Sequence, residues 1–167
     1  MNIPDFLGDF EARLATAESP RTRVRIIVES LTGMFEVKED EIALFTLDSS
    51  RDMLVFVWPE SLKGIGSIPL TAHRCVVTRT ALENSSFLDN SFSSTPHLQM
   101  FEHFLLDKEK RVPIQKIMSS PLHDGETLKG VIQIARKGPD RDAAGADFKS
   151  SDTELLTRVA AIIARYF

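Results

Sequence analysis

Cys75 is the only cysteine of the chain, with His73 two positions before it and Arg74 beside it. Converging on the sulfur, these two cations would lower the thiol pKa and make a nucleophile or a redox-active group. Residues two apart on a helix point to nearly opposite sides, however, and free cysteine most often serves as a small buried hydrophobe. A single thiol also excludes an internal disulfide and any multi-cysteine metal site. Two histidines, His97 and His103, share one expected helix at a six-residue spacing that suits metal ligands poorly. His103 and Asp107 have the four-residue spacing, but without a third ligand a surface hydrogen bond or ion pair is the simpler use, with heme ligation by His97 or His103 as the alternative.

Other constellations are weaker as chemistry. Gly64-Ile65-Gly66 lacks the third glycine and the strand-to-helix setting of a dinucleotide loop. Ser119-Ser120 stands before Pro121 with no Gly-x-Ser-x-Gly elbow, so hydroxyls facing a pocket are a better use than a nucleophile. Phe87, Asp89, Asn90 and Phe92 combine aromatic rings, a carboxylate and an amide, which suits an organic ligand; solvated turn residues are the plain alternative.

These residues need a scaffold to hold them. With 167 residues, 43% of them hydrophobic, the chain suits one domain, which at this size buries roughly 70% of the surface of its unfolded form. Net charge is −4 and no long basic run occurs, so the electrostatic footprint of a nucleic-acid binder is missing. Apolar runs such as 53–58 fall far short of the ~20 residues that span a bilayer, and no N-terminal signal pattern is present. A cytoplasmic protein without membrane or nucleic-acid partners is expected.

Asn2 and Pro4 open an expected helix reaching to about Thr16, with Ile3, Phe6, Leu7, Phe10 and Leu14 on one face. Ser19-Pro20 repeats the signal, and Val24, Ile27, Val28, Leu31 and Phe35 stripe a second helix. The apolar runs 42–47 and 53–58 read as an antiparallel hairpin, 67–70 as a third strand and 71–82 as a helix carrying Cys75. The Ser- and Asn-rich segment 83–95 reads as a loop with a brief strand at Phe87-Leu88, and Thr95-Pro96 restarts a helix with Leu98, Phe101, Phe104 and Leu105 on its apolar face. Two further strands turn at Asp124-Gly125, with Pro121 at the end of the first. Ser151 and Glu154 have the spacing of a capping box for a final helix striped by Leu155, Leu156, Val159, Ile162, Ile163 and Tyr166. Strands gathered in hairpins with helices grouped elsewhere give an α+β class with an antiparallel sheet.

The order of these elements resembles the GAF family. The likeness rests on Ser119-Ser120-Pro121-Leu122, the turn and Gly130-Val131-Ile132-Gln133-Ile134, followed by Phe148 and the helix start at 152–156. It implies a profilin- or PAS-like central antiparallel sheet of five to six strands, terminal helices on one face and a ligand pocket under helices and loops on the other. It also implies a division into an N-terminal helix, 1–18, for packing or dimerisation, and the domain proper, 19–167. Three subclass patterns are missing. Asn84 precedes Ser85 rather than the lysine common in cyclic-nucleotide binders. Cys75 is followed by Val76 rather than histidine, against covalent bilin attachment. One thiol cannot complete the exchange of the sulfoxide-reducing members.

The resemblance therefore implies a sensory or regulatory module, not an enzyme, that binds a small organic ligand of unknown identity. The expected lining is Trp58, His73, Cys75, Phe87, Asp89, Phe92, Phe101, Phe104 and Ser119, with no metal. The terminal helices would relay the signal to an output domain or a partner kinase, and would pair a homodimer. The alternatives are a ligand-free dimerisation or scaffold module with the phenylalanines filling the pocket, and a Cys75-dependent redox or heme sensor.

Overall fold

The computed structural model describes residues 2–64, 66–95 and 112–167. Helix α1 (Ile3–Ala15) has its proline in the first turn, but Asn2 directs its amide to Asp5 Oδ2 at 2.7 Å rather than to the backbone. In α2 (Pro20–Phe35), Ser19 Oγ accepts the Thr22 N–H at 3.1 Å, and the helix stops at Glu36, whose φ of 51° is left-handed. Strands β1 (Ile42–Asp48) and β2 (Met53–Trp58) form the expected hairpin. Asp48 holds the connection by accepting the Ser50 N–H at 3.1 Å.

After β3 (Ser67–Pro69) comes α3 (Val76–Glu83), shorter than the expected 71–82. The chain leaves the sheet edge through turns closed by Ala72 N–H to Pro69 and Cys75 N–H to Ala72, and only then turns helical. Cys75 is thus an extended residue ahead of the helix and not a member of it. Next comes β4 (Phe87–Asp89), where the brief strand was expected. The helix expected after Thr95, with its aromatic stripe, falls outside the described residues.

Strands β5 (Ile114–Asp124) and β6 (Thr127–Lys137) meet at a two-residue turn, in which Gly125 takes a φ of 61° that other residues adopt with strain. The first strand continues three residues beyond Pro121. Because β4 pairs β5 only from Ile117 to Ser119, Pro121 lies where one side of the strand is an edge, the setting in which proline is tolerated. Helix α4 (Ser150–Ala164) begins before the expected cap: Asp152 Oδ2 reaches back to the Lys149 N–H at 2.7 Å, so Lys149 rather than Ser151 holds the capping position.

Among the described residues the sheet has six strands in the order β3-β2-β1-β6-β5-β4, each neighbour antiparallel. Alternate residues of its strands build two apolar layers. Ile42, Leu44, Met118, Leu122, Ile132 and Ile134 pack under α1, α2 and α4. Ala43, Phe45, Leu54, Phe56 and Val131 face the other way, toward Cys75, Val77 and Ala81. Leu7, Phe10 and Leu14 of α1 are buried in the first layer, and Tyr166 and Phe167 pack against it partly buried. The stripe on α1 is thus covered largely by the chain itself, with Ile3 left exposed.

Candidate functional site

Strand pairing sets a row of residues across the sheet face beneath α3. Ala43 of β1 pairs Gln133 of β6, Gln133 pairs Ser119 of β5, and Ser119 pairs Phe87 of β4. The row on one side is apolar, with Phe45, Val131 and Pro121, and the row on the other runs through Ala135 and Ile117 to the carboxylate of Asp89 on β4. Ser119 is fully buried and Gln133 nearly so. Gln133 Nε2 donates to Ser119 Oγ at 3.2 Å, and the Thr80 hydroxyl lies 2.7 Å from the same oxygen. Thr80 reaches down from α3, where its hydroxyl also lies 2.8 Å from the Val76 carbonyl.

Beyond this trio, five buried side-chain atoms among the described residues are without partners: the Thr78 hydroxyl on α3, both ring nitrogens of His123, which pairs across the sheet with Leu128, and Nε of Arg23 and of Arg136. Buried polar groups are normally satisfied, so these mark capacity to bind water or a ligand. Phe87 closes the β4 end of the row, with the Arg79 guanidinium 4.7 Å from its ring centre.

No family model matches the sequence, and no curated protein matches it. Solved structures do. The chain is similar to the GAF domain of a phosphoenolpyruvate-protein phosphotransferase from Coxiella burnetii, at 12% identity and a TM-score of 0.77 over 99% of this chain and 92% of that one. The corresponding Acinetobacter domain gives 16% identity and a TM-score of 0.73 over 98% and 91%. The fold is that of a GAF domain. The same GAF architecture aligns, at 16% identity and a TM-score of 0.70 over 99% of this chain and 87% of the other, with a free methionine-R-sulfoxide reductase from Neisseria meningitidis in complex with its substrate. At such identities the likeness concerns the fold alone.

Within the GAF fold the expected site residues separate. Ser119 and Phe87 lie in the row just described. Trp58 does not: a bulge pairs Phe45 with Phe56 but Leu44 with Trp58, turning the indole to the face of the terminal helices. There Trp58 Nε1 donates to the Glu39 carbonyl at 2.9 Å. His73 is exposed, whereas Cys75 is 5% exposed among Phe45, Leu54 and Phe56, and burial pushes its thiol pKa up. That is the opposite of activation.

Asp89 is occupied in its own turn, accepting the Ser91 N–H at 2.7 Å and the Thr95 hydroxyl at 2.8 Å. Phe92 is buried with Val76, Ile114, Ile117 and Ala135. Phe101 and Phe104, like His97 and His103, lie outside the described residues. Among the described residues no group of three His, Cys, Asp or Glu side chains is placed to hold a metal ion. Among them, too, no helix is long and apolar enough to cross a membrane.

Sequence reading passed over Thr80, Gln133 and His123. For Gln133 the signal was present, a lone amide inside the apolar run 131–135. Thr80 and His123 carry none, because their roles come from the placement of α3 and from the bulge between Leu122 and His123. Grooves of about 400 and 480 Å³ lie elsewhere, beside α2 on the flank of β2, where Arg21, Val24 and Glu60 line both. Their arginines are already paired: Arg21 with Glu60 at 3.4 Å, and Arg25 with Glu29 and Glu39 at 3.2 Å each.

Proposed function

We propose that this chain is a sensory or regulatory GAF-type domain that performs no chemistry and binds a small organic ligand on the sheet face beneath α3. The observation that carries this reading is the buried row of Ser119 and Gln133 with Thr80 above it, polar groups set into an otherwise apolar surface. A hydroxyl pair and an amide among apolar walls favour an uncharged, partly polar molecule over a charged one, because no charged side chain belongs to the row. The ligand's effect would pass to the terminal helices, and through them to an output domain, a partner kinase or a second copy of the chain.

Native mass spectrometry of protein purified from its own host, followed by a thermal-shift screen of metabolites, tests this. The expected result is a small molecule that co-purifies or raises Tm, with about 2.7 kcal/mol of stabilisation at a hundredfold excess over Kd. Ser119→Ala should weaken that shift. A screen that finds neither a passenger nor a stabiliser would remove the support for binding.

A second reading, a ligand-free scaffold, is favoured by Phe92. Its ring is 5% exposed and already fills one end of this face against Ile114, Ile117 and Ala135. Under that reading Phe92→Ala would only destabilise the fold and would uncover no affinity for small molecules.

A further inference from the structure

Edge strand β4 is bracketed by two polar links to the C-terminal helix region. After it, Asn90 uses both ends of its side-chain amide on one backbone residue: Nδ2 donates to the Phe148 carbonyl at 2.9 Å, and Oδ1 accepts the Phe148 N–H at 3.0 Å. This imitates a strand pair, made by a side chain. Phe148 is itself fixed, 3% exposed in the core with the Arg136 guanidinium 4.7 Å from its ring centre.

Before β4, Ser86 Oγ lies 2.9 Å from Ser120 Oγ and 2.8 Å from Thr157 Oγ1 in α4. Thr157 donates its one proton to the Thr153 carbonyl at 2.8 Å. Its oxygen must therefore accept from Ser86, and Ser86 in turn from Ser120. The hydroxyls form a chain of one direction, from β5 through the β4 segment into α4.

The strand between these links faces both layers. Phe87 lies on the side of Ser119, under the Arg79 guanidinium of α3, and Leu88 packs against the core beneath the terminal helices. With only three pairs to β5, β4 has the low local stability of a short edge strand. A small shift of α3 over the buried row is thus felt first at Phe87, and the shortest covalent and hydrogen-bonded routes onward are Ser86 and Asn90.

We propose that the β4 segment and the start of α4 move as one body, joined by the Asn90–Phe148 clamp and the Ser86–Thr157 hydroxyl bond, and that this joint carries displacement from α3 to the C-terminal helix. This extends the ligand-site reading by giving its relay a route, but it does not need a ligand to be tested. Coupling between two sites requires more than adjacency, and a perturbation cycle supplies it.

The experiment is hydrogen exchange on the full chain, with Phe87→Ala as the perturbation and the amides of 150–157 as the readout. With both links intact, Phe87→Ala should raise exchange in those amides by about twofold or more, the low end of coupling between contacting residues. In a Ser86→Ala/Asn90→Ala background the same substitution should add nothing. Exchange at the β1–β6 ladder, Ile42 to Thr46 against Gly130 to Ile134, identifies any variant that opens globally. If the double background does so, Asn90→Asp replaces it, keeping the acceptor for the Phe148 N–H and losing the donor; it should then reduce the response. An α4 that ignores Phe87→Ala with both links intact, or responds equally in every background, overturns the proposal. A failed ligand screen would leave this result untouched.

Discussion

Lys116 Nζ lies 2.8 Å from Asp147 Oδ1, across the joint between β5 and the segment that leads into α4. The lysine side chain is 3% exposed and the carboxylate 46%, so the cation is inside and its partner reaches in from water. Lys116 also donates to the Gly145 carbonyl, and Arg141 holds the other carboxylate oxygen at 2.6 Å.

Asp147 is held below the usual carboxylate pKa, first by the hydrogen bond from Lys116 and then by that from Arg141. A folded pKa lower than the unfolded value of about 3.9 contributes stability that is complete above that value and lost as pH falls through the folded one. Urea midpoints measured from about pH 7 down to pH 2 should fall in the acid range, with a shallower fall in Asp147→Asn. Identical acid slopes would show that the pair contributes nothing to folding.

Cys75 should behave as a hydrophobe. With its thiol 5% exposed and its pKa raised by burial, it should resist an aromatic disulfide reagent at neutral pH until the protein is denatured. Cys75→Ser should cost about 1–3 kcal/mol, the penalty for burying a hydroxyl without a partner. Rapid labelling of the native chain would reopen a redox role.

Gly130 has no room for a side chain. A Cβ there would sit 1.9 Å from the Phe45 carbonyl oxygen and 3.1 Å from Thr46 Cα, both backbone atoms of the adjacent strand. Gly130→Ala should destabilise by about 3 kcal/mol, the upper range of overpacking, because the β1–β6 ladder must separate to admit it. A Tm within a degree or two of wild type would show that the two strands yield freely.

Trp58 and Ser119 should respond differently to substitution. Trp58→Phe removes the hydrogen bond to the Glu39 carbonyl, at about 1 kcal/mol, on the face opposite the buried polar row. Any stabilising ligand should therefore bind Trp58→Phe as it binds wild type and bind Ser119→Ala more weakly, compared by thermal shift at equal ligand concentrations. Equal loss in both variants would argue against binding beneath α3.

Much of the architecture was legible because it rests on local signals. The runs 42–47 and 53–58 fixed the first hairpin almost to the residue, and Asp124-Gly125 located the second. What escaped depends on contacts between distant segments. Alternation from Leu54 and Phe56 would send Trp58 beneath α3, and only the bulge against β1 sends it the other way. The length of α3 followed from how the chain leaves the sheet edge, which no propensity records. Ser119 was singled out in the sequence as a hydroxyl, but its buried partners Thr80 and Gln133 come from positions 39 and 14 residues away.

The β1–β6 ladder also governs how this sheet can be assembled in time. Each hairpin closes over a short connection, whereas Ile42 must find Ile134 across 92 positions, and Thr46 must find Gly130 across 84. Loop-closure entropy makes such pairing late and slow relative to the local turns. The two halves of the sheet should therefore form as separate hairpins first, and the folding rate should follow the stability of their docking rather than that of either hairpin.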